Sequence, residues 1–459
     1  MITESATEAV FGGGRSRVAP LTWGQQGTWD GIHEWLPEIK PFFTLTRWLS
    51  VPLVLTLPDV LEQLGELLNR HESLRTLYRS SARGGATQEV LAAGTVAVTL
   101  FDRPADDPVE FHELVEESLR RAKETAWDYG TELPVRFYVA MHEGIPVLVT
   151  FGVSHLSSDY LSADLLSKEL AALLQAKVDG SAPPAARSSM QPVDLAMFEN
   201  SPDGQLLNVE AIRYQREQYK KYQPSMLPLR SEPLTPRFRR GELESDAVPV
   251  AVRAAARRHR TSPSAVLLSI TTALVRSIAG ADVYSIDIMQ SNRLLPELVG
   301  AVNTLNQIVP TAIDLTADSF EEIVRQSAVA MDGARRHGRY DARSARAMAL
   351  SLRGPDWEPG SQFNDMWSLL PRPKRPVATD EAELNALAER TTFSWPEMTH
   401  DEGMVLFLDI RGTADRIQLS MMADTALLPP AQIEAFLYAF ERTAIQLAVA
   451  DVDLETLRL

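Results

Sequence analysis

Among the eight histidines of this 459-residue chain, His155 is set apart by its surroundings. It ends an apolar run, PVLVTFGVS, and Asp159 follows four residues later in the stretch SHLSSDY. An imidazole at the mouth of a buried strand can take a proton from an attacking amine or hydroxyl, or hold a tetrahedral intermediate, because its basicity lies near neutral pH. The same residues also suit a hydrogen-bonded core histidine followed by a helix-capping aspartate. The other histidines (His33, His71, His112, His142, His259, His337 and His400) have no acid or histidine at a metal-ligand spacing, so no metal site is expected. No glycine-rich loop leads into Lys-Ser or Lys-Thr, and no GxSxG elbow occurs, so neither nucleotide phosphate binding nor serine hydrolase chemistry has its usual signature.

These residues need a scaffold, and composition bounds it. Lys plus Arg number 45 against 61 Asp plus Glu, a net charge of −16, with no cysteine. So acidic a chain repels phosphate backbones and anionic membranes, and disulfides and thiolate metal sites are impossible. No window of 18 apolar residues and no leader-like N-terminus occur, so a cytoplasmic protein is expected. Residues 1–17, with glycines at Gly12, Gly13 and Gly14, read as a mobile N-terminus before an ordered start at Val18.

Periodicity predicts helices over 57–69, 108–126 and 161–175, and strands over 134–139 and 146–153. His155 and Asp159 thus occupy a short strand-to-helix loop. Residues 181–192, SAPPAARSSMQP, have the composition of an exposed connector, which places one lobe at 18–180 and the other at 193–459. In the second half a helix is expected from Pro263, capped by Thr261 or Ser262 and stopped before Gly280. Strands at 284–289 and 308–313, a helix at 319–335, a hairpin of 404–411 with 417–423, and a helix at 430–448 follow. Each half is therefore an α/β mixture, a sheet covered by helices. The Pro-rich, charged stretch near 370–390 suits a crossover excursion away from its own lobe.

Several ordered segments carry a resemblance. LTWGQQGTW (21–29) is similar to the opening motif of nonribosomal peptide synthetase condensation domains, and RHESLRTLY (70–78) looks like their second motif nearly letter for letter. SHLSSDY stands where HHxxxDG belongs. SNRLLPELVGAVNTL (291–305) and QFNDM (362–366) resemble two later motifs, so the likeness runs across nearly the whole chain.

The resemblance implies two chloramphenicol-acetyltransferase-like lobes with mixed sheets in a V-shaped pseudo-dimer, the active site at their junction. It implies that His155 assists attack on a donor thioester, that Asp159 is held by a salt bridge from Arg293, and that Arg70 and Arg75 are structural. Two departures stand out. Ser154 replaces the first histidine, a structural position, and Tyr160 replaces a glycine, where a phenol would narrow the tunnel or reshape the acceptor pocket. Asn303 is expected to line the channel or to serve as a hydrogen-bonded turn residue. Early tryptophans, Trp23, Trp29, Trp35 and Trp48, are expected to pack rather than to form a cage.

The function implied is a stand-alone condensation enzyme that joins a carrier-bound acyl or aminoacyl thioester to an amine, or less readily a hydroxyl. One alternative is a catalytically silent module that binds carriers or recruits enzymes; another is an O-acyltransferase of the same superfamily. No cofactor is expected to be bound. A phosphopantetheine carrier protein would deliver the donor, a free or carrier-bound amine would accept it, and neither nucleic acid nor membrane is an expected partner of this monomer.

Overall fold

A computed structural model describes residues 3–35, 43–80, 86–103, 111–223, 226–354, 360–370, 380–397 and 404–459. Two compact units emerge: one holds Met1–Asn208, Ser291–Asn306 and Tyr340–Arg343, the other Val209–Gln290, Gln307–Arg339 and Ser344–Leu459.

In the first unit the N-terminal residues are a strand. TESATEAVF forms β1 (Thr3–Phe11), paired antiparallel with β6 (Gly94–Arg103) from Thr3 opposite Asp102 to Phe11 opposite Gly94. The expected mobile tail is thereby corrected: Ala9 and Phe11 alternate into the core, and a short side-chain set there anchors an edge strand that the acids Glu4 and Glu8 had disguised. β2 (Arg17–Pro20), α1 (Trp23–Asp30), β3 (Thr44–Ser50), α2 (Leu57–Arg70), β4 (Thr76–Ser80) and β5 (Ala86–Val90) precede β6 in sequence. After it come α3 (Phe111–Glu124), β7 (Val135–His142), β8 (Ile145–Ser154), α4 (Tyr160–Val178), α5 (Pro192–Glu199) and α6 (Pro202–Tyr219).

The main sheet has the order β1-β6-β7-β8-β3, with β6 and β7 parallel and the other pairs antiparallel. One face buries Phe137, Val149 and Phe151 with Leu64, Leu67 and Leu68 of α2 and Leu170 and Leu173 of α4. On the other, Leu114 and Val115 of α3 meet Ala140 and Leu148. α2 lies so close to β1 that a Cβ on Gly65 would sit 2.2 Å from the Val10 carbonyl oxygen. A second, small sheet has the order β2-β5-β4.

The second unit is a seven-stranded sheet. Its strands are β9 (Phe238–Ser245), β10 (Val283–Gln290), β11 (Gln307–Asp314), β12 (Ser361–Asp365), β13 (Thr392–Ser394), β14 (Leu406–Gly412) and β15 (Ile417–Asp424), in the order β11-β10-β12-β14-β15-β9-β13. α7 (Ala247–Arg258), α8 (Pro263–Ile278), α10 (Phe320–Arg336) and α13 (Pro430–Val449) cover it, while α9 (Pro296–Val299) and the start of α11 (Ala342–Arg353) belong with the first unit. Ser262 caps α8, as its sequence signature predicts, by accepting from Ala265 N.

The division of the chain differs from the sequence reading in three respects. It falls inside α6, after Asn208, because α5 packs Val193 and Ala196 on Ala19 and Val90 of the small sheet. The segment Ser291–Asn306 groups with the first unit, where Leu298, Ala301 and Leu305 share a core with Leu195. Within the expected excursion near 370–390, residues 371–379 lie outside the described ones, and α12 (Glu381–Ala388) packs on α7 and α13 of its own unit. Among the described residues no helix is long and apolar enough to cross a membrane.

Candidate active site

The apolar run of β8 ends at Ser154, opposite Thr44 of β3. From there the chain turns sharply, and Ser154 organises the turn with both its oxygens. Its hydroxyl lies 2.8 Å from the Tyr129 hydroxyl and accepts from Leu156 N at 3.1 Å. Its carbonyl accepts from Ser157 N and Ser158 N at 3.0 and 3.1 Å, and from the Ser157 hydroxyl at 3.1 Å. A small hydroxyl is thus fully used at this position, in keeping with a structural role.

His155 N donates to the Phe43 carbonyl at 2.7 Å, which fixes the backbone, and the imidazole meets Phe43 edge-on with centroids 6.3 Å apart. Nδ1 lies 3.2 Å from Oγ1 of Thr304. His155 as a residue is half-buried, whereas Ser154 and Leu156 to Asp159 are buried. Burial holds its pKa below the usual imidazole value, against the opposing pulls of its own carbonyl and the Asp159 charge.

Asp159 is the N-cap of α4, accepting from Ser162 N at 2.9 Å, and that sets where the helix starts. It has a second duty. Arg293 reaches it bidentately, Nη1 to Oδ2 and Nη2 to Oδ1, both at 2.7 Å, and Leu305 N donates to Oδ2 at 3.1 Å. The side chains of the pair are 7% and 3% exposed. Burial alone would raise the Asp159 pKa; the guanidinium and the backbone donors outweigh it and hold the carboxyl below its usual range. Arg293 also donates to the Ser162 hydroxyl at 2.7 Å, and that hydroxyl donates to the Asn303 carbonyl at 2.8 Å. The ion pair therefore fastens the turn before α4 to the segment 301–305, from which Thr304 touches His155.

Asn303 is buried, with Oδ1 accepting from Thr304 N at 2.8 Å and Nδ2 without a hydrogen-bond partner. Tyr160 goes elsewhere: its ring lies under the Arg47 guanidinium, 4.4 Å from Cζ to the centroid, and Arg47 in turn pairs with Asp164 at 2.7 Å. Both arginines of RHESLRTLY are committed to structure. Arg70 binds Glu66 and Glu169 at 2.7 and 2.8 Å, and Arg75 is buried against the Leu91 carbonyl. Trp23 and Trp29 are buried.

Sequence reasoning missed Thr304, Ser162 and Tyr129. Thr304 lay inside the quoted AVNTL segment, whereas nothing local marks the other two. It missed too that His71 meets Glu169 at 2.7 Å, since those residues lie far apart in the chain. Among the described residues no three metal-binding side chains gather.

The condensation domain family model matches residues 15–448. This chain belongs to the condensation domain family. Among curated proteins it is 24% identical to malpinin synthetase of Mortierella alpina over 352 residues, covering 71% of this chain and 4% of that protein. It is also 24% identical over 328 residues to the isonitrile lipopeptide synthase of Mycobacterium tuberculosis (strain ATCC 25618 / H37Rv), covering 68% and 13%. The chain thus spans only a small part of the relatives it matches. Among solved structures, the X-domain from teicoplanin biosynthesis matches at a TM-score of 0.69 and 21% identity, over 98% of this chain and 99% of that one. The first condensation domain of the CDA synthetase matches at 0.70 and 16%, over 96% and 99%. The fold is the mixed α/β architecture of condensation domains.

Proposed function

We propose that this protein is a condensation enzyme of nonribosomal peptide or hybrid biosynthesis, joining a carrier-bound acyl or aminoacyl thioester to an amine. The amine nitrogen attacks the thioester carbonyl, a C–N bond forms, the C–S bond breaks, and the phosphopantetheine thiol leaves. With Nδ1 protonated and donating to Thr304, the Nε2 lone pair of His155 is available to receive the amine proton and return it to the departing sulfur. Asp159 and Arg293 act as positioning residues, Ser154 shapes the loop, and the buried Asn303, whose Oδ1 accepts from Thr304 N, holds the segment that carries Thr304 beside the channel. Tyr160 is taken to border the acceptor pocket, its ring held under the Arg47 guanidinium.

The observation that carries this reading is the His155 imidazole anchored through Nδ1 on Thr304, in a half-buried residue at the end of β8. Thioester aminolysis is downhill, so alignment contributes most, on the order of 7–11 kcal/mol of barrier. A donor delivered on phosphopantetheine by a separate carrier protein, and a free or carrier-bound amine acceptor, complete the system. Intact-mass measurement of acyl-loaded carriers incubated with this protein and amines tests it. Amide product with release of holo-carrier supports the reading; carriers that stay loaded count against it.

A second reading is favoured by SHLSSDY itself and by the likeness to the teicoplanin X-domain, a protein also solved in complex with OxyB. On that reading the chain recruits a partner without chemistry, and His155→Ala leaves its function untouched.

A further inference from the structure

Residues 291–306 leave the end of β10 and return at the start of β11, closed at the base where Gln290 pairs with Gln307. Both ends of this excursion act on the candidate site. At one end Arg293 grips Asp159; at the other Leu305 N donates to the same carboxylate and Thr304 Oγ1 meets Nδ1 of His155. The two ends must therefore keep a fixed separation. Asn292 spans it: the residue is buried, and its Nδ2 donates to the Leu305 carbonyl at 2.8 Å. α1 backs the same segment, since a Cβ on Gly24 would come within 2.3 Å of the Thr304 carbonyl oxygen, so Thr304 cannot retreat on that side.

The backbone at Asn292 is unusual too. Its φ is +56°, in the left-handed region where a side chain crowds the following carbonyl and where Asn is tolerated better than most residues. Glu143 and Arg260, the other described non-glycine residues with positive φ, are exposed in turns, whereas Asn292 is buried. Such a conformation persists only where the surroundings over-determine it. Arg293 follows directly, and its Nε is buried without a hydrogen-bond partner. The guanidinium is thus held through its two terminal nitrogens, and its aim depends on the backbone that carries it. Thr304 Oγ1 donates to Asn306 Oδ1 at a long 3.5 Å, which leaves its lone pairs to accept from Nδ1 of His155, the protonation that puts the free lone pair on Nε2.

We propose that Asn292 is a positioning residue for amide formation. Its left-handed backbone aims Arg293 at Asp159, and its amide ties down the Leu305 carbonyl, so that Thr304 stays against Nδ1 and the imidazole keeps its proton there. The inference rests on the condensation reading for the reaction that it serves, and Asn292 acts through His155 rather than by touching substrate.

The test uses the full chain carrying nitrogen-15-labelled histidine. Two-bond nitrogen–proton spectra at about pH 8, above the usual imidazole value, report which ring nitrogen of neutral His155 holds the proton, its signals being those lost in His155→Ala. Protonation at Nδ1 is expected in the wild type. Asn292→Gly keeps access to positive φ and removes the amide, and the Nε2-protonated form that a free imidazole prefers should appear. Its kcat for amide formation should fall at least about tenfold, part of what a general base supplies, with carrier affinity and the KM for amine unchanged. Asn292→Asp keeps the shape, replaces the donor by a carboxylate oxygen, and should do the same. An Nε2-protonated His155 in the wild type overturns the assignment whether or not either variant folds, as does a folded Asn292→Gly or Asn292→Asp whose tautomer and rate match the wild type. The tautomer is read without substrate. If it shifts in the variants while the wild type forms no amide, the condensation reading fails and the hold of Asn292 on the imidazole stands; if the wild type forms amide and the tautomer does not move in the variants, this assignment alone fails.

Discussion

Replacing Arg293 by Gln isolates what the buried ion pair contributes. The change leaves Asp159, 3% exposed at its side chain, without its bidentate partner, while the Ser162 and Leu305 amides remain. Removing one member of such a pair costs about 3–5 kcal/mol, because the stranded charge keeps its desolvation penalty. For a unit of this size that is a fall of roughly 6–20 °C in melting temperature, at about 2–4 °C per kcal/mol. The pH dependence gives the cause away. In the wild type the Asp159 carboxyl is held below its usual range, so its contribution is present above the unfolded pKa, about 3.9, and is lost as pH falls through the lower folded value. In Arg293→Gln, burial opposed only by those two amides raises that pKa, so the variant regains part of its deficit on acidification from pH 7 to 5. Urea unfolding followed by circular dichroism at both pH values measures this. A deficit under about 1 kcal/mol, or one that does not change with pH, would refute the argument.

Four further outcomes follow from the same structure. Glu169→Gln should destabilise by about 1–3 kcal/mol near pH 7, since Glu169 serves both Arg70 and His71. Burial would raise the Glu169 pKa, but its two partners hold it down at about 2, so the gap from wild type should narrow in urea titrations as pH falls from 5. Gly65→Ala should cost about 1–3 kcal/mol in the same assay, because the new Cβ meets the Val10 carbonyl at 2.2 Å. The rate of amide formation should rise with pH through an inflection below the usual imidazole value, because burial favours neutral His155; an inflection above neutrality in a pH–rate profile would contradict that. Thr304→Val should shift that inflection and lower turnover while leaving carrier binding, measured by calorimetry, unchanged.

Helices with clean stripes and caps were legible from residues alone. LPDVLEQLGELLN gave α2 nearly to its ends, and the Ser262 cap with Pro263 placed α8. β1 was not legible: its apolar residues are few, its polar side faces outward, and three glycines follow it, so pattern favoured a tail. The pairing of Asp159 with Arg293 came only through the family resemblance, because the partners are 134 residues apart and no local periodicity links them. For the same reason the grouping of 291–306 with the first unit was out of reach. Tyr129 and Ser162 carry no local mark; they matter because the fold brings their hydroxyls to Ser154 and Arg293.

The central claim is that the His155 ring takes part in amide formation, and a single-turnover measurement meets it directly. An acyl-loaded carrier is mixed with saturating amine and either the wild-type protein or His155→Ala, with transfer followed by quenched-flow mass spectrometry. The account predicts a rate lower by about 10²–10⁴ in the variant, with carrier affinity retained. Equal rates from the two proteins would contradict it.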